Sequence, residues 1–278
     1  MTRFWLVVAL LAGLTAGLHA QALPDATEPN PTAQGAAAIQ SAPGKNSIKP
    51  AFTLDIQAPD DVKQLLTQHL ELQRYRTLTD LNDDELGRLI EQAQLDAQKL
   101  LATLGYFSPT LVVERALSSG SAGEPVVKIE VRPGKATQVA QVKIDFTGAV
   151  ATDQAAATQR EHILSSWSLP VGSRFTQAAW DNAKQQALRL LTTQRYPTGR
   201  ISATLADIDP DTALAQLTIT LDSGTAYHNG EVLITGLTRY DEDLVRRLAR
   251  IAPGAVYDQA ELVAAQQRLS DSGYFDSV

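Results

Sequence analysis

The chain has 278 residues, with 24 Lys and Arg against 31 Asp and Glu, a formal net charge of −7, and no cysteine. Without thiols there can be no disulfide, no lipid-modified cysteine and no thiolate metal site. An acidic chain without a basic stripe is also a poor nucleic-acid binder.

Arg3 precedes an apolar run from Phe4 to Leu18, and Ala20-Gln21-Ala22 supplies the small-x-small spacing of a peptidase site. Residues 1–22 therefore read as a cleaved secretory signal, since the run is shorter than the roughly 20 apolar residues a membrane helix needs. Residues 23–50 are rich in Ala, Pro, Gln, Gly and Thr and read as a disordered leader.

From residue 51 onward apolar periodicity restarts three times. Phe52, Leu54 and Ile56 alternate with polar residues as in a half-buried strand, and Pro59-Asp60 opens a helix carrying Val62, Leu65, Leu66, His69, Leu70 and Leu72. Asn82-Asp83-Asp84-Glu85 caps a second helix with an acidic first turn, and Leu86, Leu89, Ile90, Ala93, Ala97, Leu100, Leu101 and Leu104 form its apolar stripe. That helix runs into the corner Gly105-Tyr106-Phe107, where Gly105 suits a left-handed cap and the two aromatics are expected to fold back onto the helices. A strand over Thr110–Leu117, a loop through Ser118–Gly123 and a strand with Val127, Ile129 and Val131 complete a strand-helix-helix-strand-strand unit.

The second unit repeats this order. Its strand holds Val142, Ile144 and Phe146, and its helices are expected over Asp153–Leu169 and Thr176–Tyr196. A hairpin of Ile201–Ile208 and Leu217–Leu221 turns at Asp209-Pro210-Asp211. The third has a strand over Val232–Ile234 and helices over Asp241–Ile251 and Gln259–Ser272, then the corner Gly273-Tyr274-Phe275. Two closing strands have no counterpart before Val278, so this unit reads as incomplete. Phe146-Thr147-Gly148 matches Ile234-Thr235-Gly236, while Gly172, Phe175, Gln177 and Ala178 match Gly254, Tyr257, Gln259 and Ala260. A period of about 85 residues is too long for a solenoid and suits small domains in series, at 51–134, 135–224 and 225–278, joined at Gly134-Lys135 and Gly224-Thr225. Gln194-Arg195-Tyr196-Pro197 is a worn middle corner that lacks the glycine.

The expected class is α+β. In each unit a three-stranded mixed sheet is covered on one face by two helices, with the last strand central and the middle strand at an exposed edge. Exposed strands offer unpaired N–H and C=O groups to extended chains. The candidate binding edges are Thr110, Leu111, Val112, Val113 and Glu114, and Arg200, Ile201, Ser202, Ala203 and Thr204; the competing reading is a solvated edge guarded by Glu114, Arg115 and Arg200. The structural corners are Gly105, Tyr106, Phe107, Tyr196, Gly273, Tyr274 and Phe275.

Other chemistry falls away. Asp80, Asn82, Asp84 and Glu91 occupy calcium-loop positions, but Glu85 stands where that loop requires glycine, so the capping role is preferred. His69, His162 and His228 lie in different units, so no metal is expected. Trp167 and Trp180 sit at helical positions that favour core packing, and Ser118–Ser121 lacks a phosphate-binding Gly-Lys pair. No cofactor and no catalytic residue is expected.

Tandem units of this order, the Gly-Tyr-Phe corner and the leading signal resemble the POTRA domains of the outer-membrane assembly factor superfamily. Three in series look most like its translocation and assembly module branch. That resemblance implies a membrane β-barrel beyond residue 278 and a periplasmic location at the outer membrane. It also implies unfolded outer-membrane or autotransporter proteins as clients, and a TamB-like periplasmic subunit as partner. The general barrel-assembly protein resembles a five-unit array, and two-partner secretion transporters usually show two units. A secreted enzyme or binding protein with an unseen site is the reading from another class.

Overall fold

The computed structural model describes residues 50–78, 81–117, 125–275 and 277. The expected signal, most of the leader, Asp80 and the Ser118–Gly123 loop lie outside the described residues.

The first unit consists of β1 (Thr53–Gln57), α1 (Asp60–His69), α2 (Asp83–Thr103), β2 (Thr110–Leu117) and β3 (Pro125–Arg132). The sheet order is β1-β3-β2, with β1 parallel and β2 antiparallel to the central β3. Leu54 and Ile56 lie opposite Val127 and Ile129, so one face of every strand turns to the helices. There Val62 and Leu66 of α1 and Leu86, Ala93, Ala97 and Leu101 of α2 close the core. Removing each large apolar side chain from water is worth about 1.5–3 kcal/mol, which decides the register, because a one-residue slip would turn the whole set outward. Helix α2 begins as the sequence implies, with Asn82 Oδ1 accepting from the Glu85 N–H at 2.8 Å. The first helix is shorter than expected. It stops at His69, and Leu72 is carried instead by a 3-10 turn over Glu71–Thr77.

The second unit has β4 (Gln138–Thr147), α3 (Ala149–Thr152), α4 (Ala157–Ser165), α5 (Gln177–Thr192), β5 (Arg200–Asp209) and β6 (Leu214–Asp222), in the order β4-β6-β5. The helix expected over Asp153–Leu169 begins at that residue, where Asp153 is extended and its carboxylate caps the Ala155 N–H at 2.8 Å, but its first turn, Gln154–Ala156, is 3-10 and α4 stops at Ser165. Trp180 packs edge-on to Trp167 with ring centroids 6.0 Å apart, inside a core with Ile163, Leu191, Leu217 and Ile219.

The third unit contributes α6 (Glu242–Ala249) and α7 (Gln259–Asp271), which pack through Val245, Ala249, Ala265 and Leu269. The strand expected over Val232–Ile234 is not formed. Residues 229–236 have no regular secondary structure, because a strand exists only against a ladder partner and none is present among the described residues.

Helix α2 ends in a Schellman motif. The Gly105 N–H donates to Ala102 O and the Tyr106 N–H to Leu101 O, both at 3.0 Å, with Gly105 at φ +85°. Gly273 repeats the left-handed angle at +67°, and the middle corner reaches +61° with Arg195. A Cβ built on Gly105 would overlap the carbonyl oxygen of Phe175, whereas one built on Gly172, also at +85°, meets nothing within 4 Å. Gly172→Ala should therefore cost about 1 kcal/mol for backbone strain alone. Gly105→Ala should cost that plus the displacement of Phe175, together about 3 kcal/mol. Denaturant unfolding of the two variants checks this, and equal midpoints would show that the Gly105 contact is not tight.

Candidate functional site: edge strands and corners

The middle strand of each complete unit lies at a sheet edge. Pairing with the central strand sorts its residues by face. In β2, Leu111 and Val113 lie opposite Val131 and Ile129 and join the apolar cluster, while Thr110, Val112 and Glu114 occupy the far face, with Val112 exposed. In β5, Ile201 and Thr204 lie opposite the buried Leu221 and Ile219, with Ala203 on the far face opposite Thr220. Two core-facing residues three apart require an extra residue between them. Ser202 is that residue, bulged out of the ladder between Ile201 and Ala203, with its hydroxyl 3.3 Å from Thr220 O.

Charges guard both edges near their ends. Arg115 Nη2 is 2.7 Å from Asp83 Oδ1, and Arg200 Nη2 is 2.8 Å from Asp222 Oδ2. Beyond Arg200 β5 is accessible, because an open groove of about 420 Å³ runs along it, lined by Asp181, Lys184 and Gln185 of α5 and by Ile201–Thr204. The sequence reading located the edge but not the groove.

The corners divide their labour differently from expectation. Tyr106 folds back onto its own unit's core, but Phe107 packs on the cluster of the second unit, its ring centroid 6.0 Å from Phe175. Tyr196 is fully buried and lies 3.4 Å from Asp153 Oδ2 through its hydroxyl. Tyr274 and Phe275 gather around Tyr240, at centroid distances of 5.2 and 6.1 Å. Thr137 and Arg174, which meet the first corner, were not singled out in the sequence. The available signal was the repeat itself, which places charged Arg174 where the third unit has Val256. Among the described residues, no three His, Asp or Glu side chains converge as a metal site would require. No helix among them is long and apolar enough to cross a membrane.

Residues 227–278 match the POTRA family model, described as a surface antigen variable number repeat. The two three-stranded mixed sheets with their helices form a mixed α+β fold resembling POTRA domains. Among solved structures, POTRA domains 3–5 of BamA from Haemophilus influenzae align at 16% identity over 82% of this chain and 87% of that one, TM-score 0.41. The N-terminal domain of Omp85 from Thermosynechococcus elongatus aligns at 16% over 81% and 86%, TM-score 0.33. CdiB from Escherichia coli aligns at 12% over 66% and 29%, TM-score 0.29. Likeness at these identities and scores transfers no property of those proteins to this chain.

Burial, followed by the Asp153 carboxylate, raises the Tyr196 hydroxyl above its ordinary value, with Arg195 pulling the other way. A raised folded value favours the native state while tyrosine is neutral, so this contribution is complete below about pH 10 and is lost as pH rises through the folded value. Thermal midpoints above pH 10 should fall more steeply for the wild type than for Tyr196→Phe. Parallel curves would show that the buried hydroxyl is not linked to folding.

Proposed function

We propose that this chain is the non-catalytic periplasmic part of an outer-membrane β-barrel assembly or autotransporter secretion factor, handling unfolded client chains along its sheet edges. The observation that supports this most is where the family match falls. The match covers residues 227–278, which we read as a third copy of the unit that earlier forms two three-stranded sheets, each with its middle strand at the edge. The internal correspondence of Gly172 and Phe175 with Gly254 and Tyr257 carries the same reading back through the chain. Three units in series fit TamA, the translocation and assembly module subunit, with a TamB-like partner and a barrel following the third unit. An edge that binds through main-chain groups accepts many sequences, as a handler of diverse barrel precursors must.

Proline substitution at alternate edge residues tests the mechanism, because proline cannot donate to a ladder and alternate N–H groups point inward and outward. The pairs are Val112→Pro with Val113→Pro in β2, and Ala203→Pro with Thr204→Pro in β5. In each pair, the variant that keeps its thermal midpoint has lost an outward donor and should lose capture of an unfolded barrel segment. The other should lose stability by about 1–3 kcal/mol through its ladder bond. Wild-type capture by both stable variants would overturn edge pairing.

A further inference from the structure

We infer that the first two units move as one rigid body, that the chain bends at the second joint, around Gly224–Tyr227, and that Arg174 is the clamp that separates the two behaviours. The inference rests on the joints alone and holds whatever the edges bind.

Both joints are built on one backbone pattern. At the first, the Thr137 N–H donates to Gly105 O at 2.9 Å and the Phe175 N–H to Thr137 O at 2.8 Å. At the second, the Tyr227 N–H donates to Arg195 O at 2.7 Å, Tyr257 N–H to Tyr227 O at 3.0 Å, and Arg195 N–H to Tyr257 O at 2.9 Å. In each, a left-handed corner residue receives the start of the next unit's chain, and a turn ahead of the next long helix closes over it.

The surroundings of these hydrogen bonds differ. Thr137 and Phe175 are 0% and 2% exposed, whereas their counterparts Tyr227 and Tyr257 are 41% exposed and half-buried respectively. Phe107 carries a large aromatic ring from the first unit into the second unit's core, whereas across the second joint Ala226 packs only a methyl group against that core.

Arg174 adds a clamp with no counterpart. Its Nε and Nη2 donate to Leu104 O at 3.2 and 2.9 Å, at the end of α2, where carbonyls lack helical partners and the helix dipole favours a cation. Its guanidinium lies 4.7 Å from the Tyr106 ring centroid, and Nη2 is 3.7 Å from Asp61 Oδ2 at the start of α1. One side chain of the second unit thus holds both helices and the corner of the first. Ser108 Oγ adds a bond to Pro210 O at 2.8 Å. The equivalent residue at the second joint, Val256, has no side-chain donor. That joint has the exposed Gln194 Nε2 to Asp258 Oδ2 bond at 2.9 Å and the Gln259 N–H to Thr193 O bond at 2.9 Å. The side-chain bonds are exposed at both joints, so the joints differ in buried contact, and a segment held with little buried apolar contact opens first.

The chain contains no cysteine, so pairs of introduced cysteines carry spin labels at defined sites. Gln94→Cys with Arg189→Cys spans the first joint, and Arg189→Cys with Gln266→Cys spans the second. In the otherwise wild-type chain, the first pair should give a narrow distance distribution and the second a broad one. Arg174→Ala should widen the first to match the second. Arg174→Lys, which keeps the charge but loses the planar fork, should give an intermediate width. Equal widths in the wild-type background, or an unchanged first distribution in Arg174→Ala, would overturn the inference. Proteolysis of the unlabelled wild type is independent of whether the variant folds: once the leader is lost, the joint at 224–228 should be cut before that at 134–137, and the reverse order or simultaneous cutting would overturn it equally.

Discussion

In the first two units a left-handed residue just past the second long helix turns its carbonyl outward to an N–H of the next unit. Gly105 and Arg195 both do this, and the whole arrangement depends on it. The corner stops the helix, starts the next strand and fixes where the following unit attaches. Only glycine adopts this angle without strain, so Arg195 needs compensation. It has three backbone hydrogen bonds around it and the buried Tyr196 beside it, and Gln159 Nε2 ties Leu190 O, Leu191 O and Gln194 O below it at 2.9–3.1 Å.

Attachment by the corners leaves the sheets free on one face and at their edges. The helices cover most of the other face, so most of the apolar residues that bind the unit together cannot meet a ligand, with Ile201 at the margin of the second sheet an exception. What remains available is backbone, plus a groove beside β5 with Lys184 and Asp181 on its wall. This separation between packing and recognition suits a module that must hold its shape while contacting chains of no fixed sequence.

Most of the fold was legible because its signals are local. Period-two runs marked the strands, the cap at Asn82 marked α2, and glycine before an aromatic pair marked the corners. The failures came where partners decide the structure. Val232–Ile234 alternates like a strand but lacks a ladder among the described residues, and the helix expected through Leu169 ends at Ser165, where Trp167 turns into the core and donates to Leu169 O. The edge residues could be named from order alone, yet the bulge at Ser202 depends on the register against β6. The role of Phe107 depends on a core about 70 residues further along the chain, which no window of local pattern can see.

The bulge also sets how much ladder β5 can offer. A strand laid along it would keep a constant side-chain alternation only over residues 203–209, about 23 Å at roughly 3.3 Å per residue. Beyond Ser202 the visitor's inward and outward side chains would exchange faces. A visitor pairing past Ser202 would have to carry a matching bulge of its own, which discourages copies of the protein from pairing along the full length of β5.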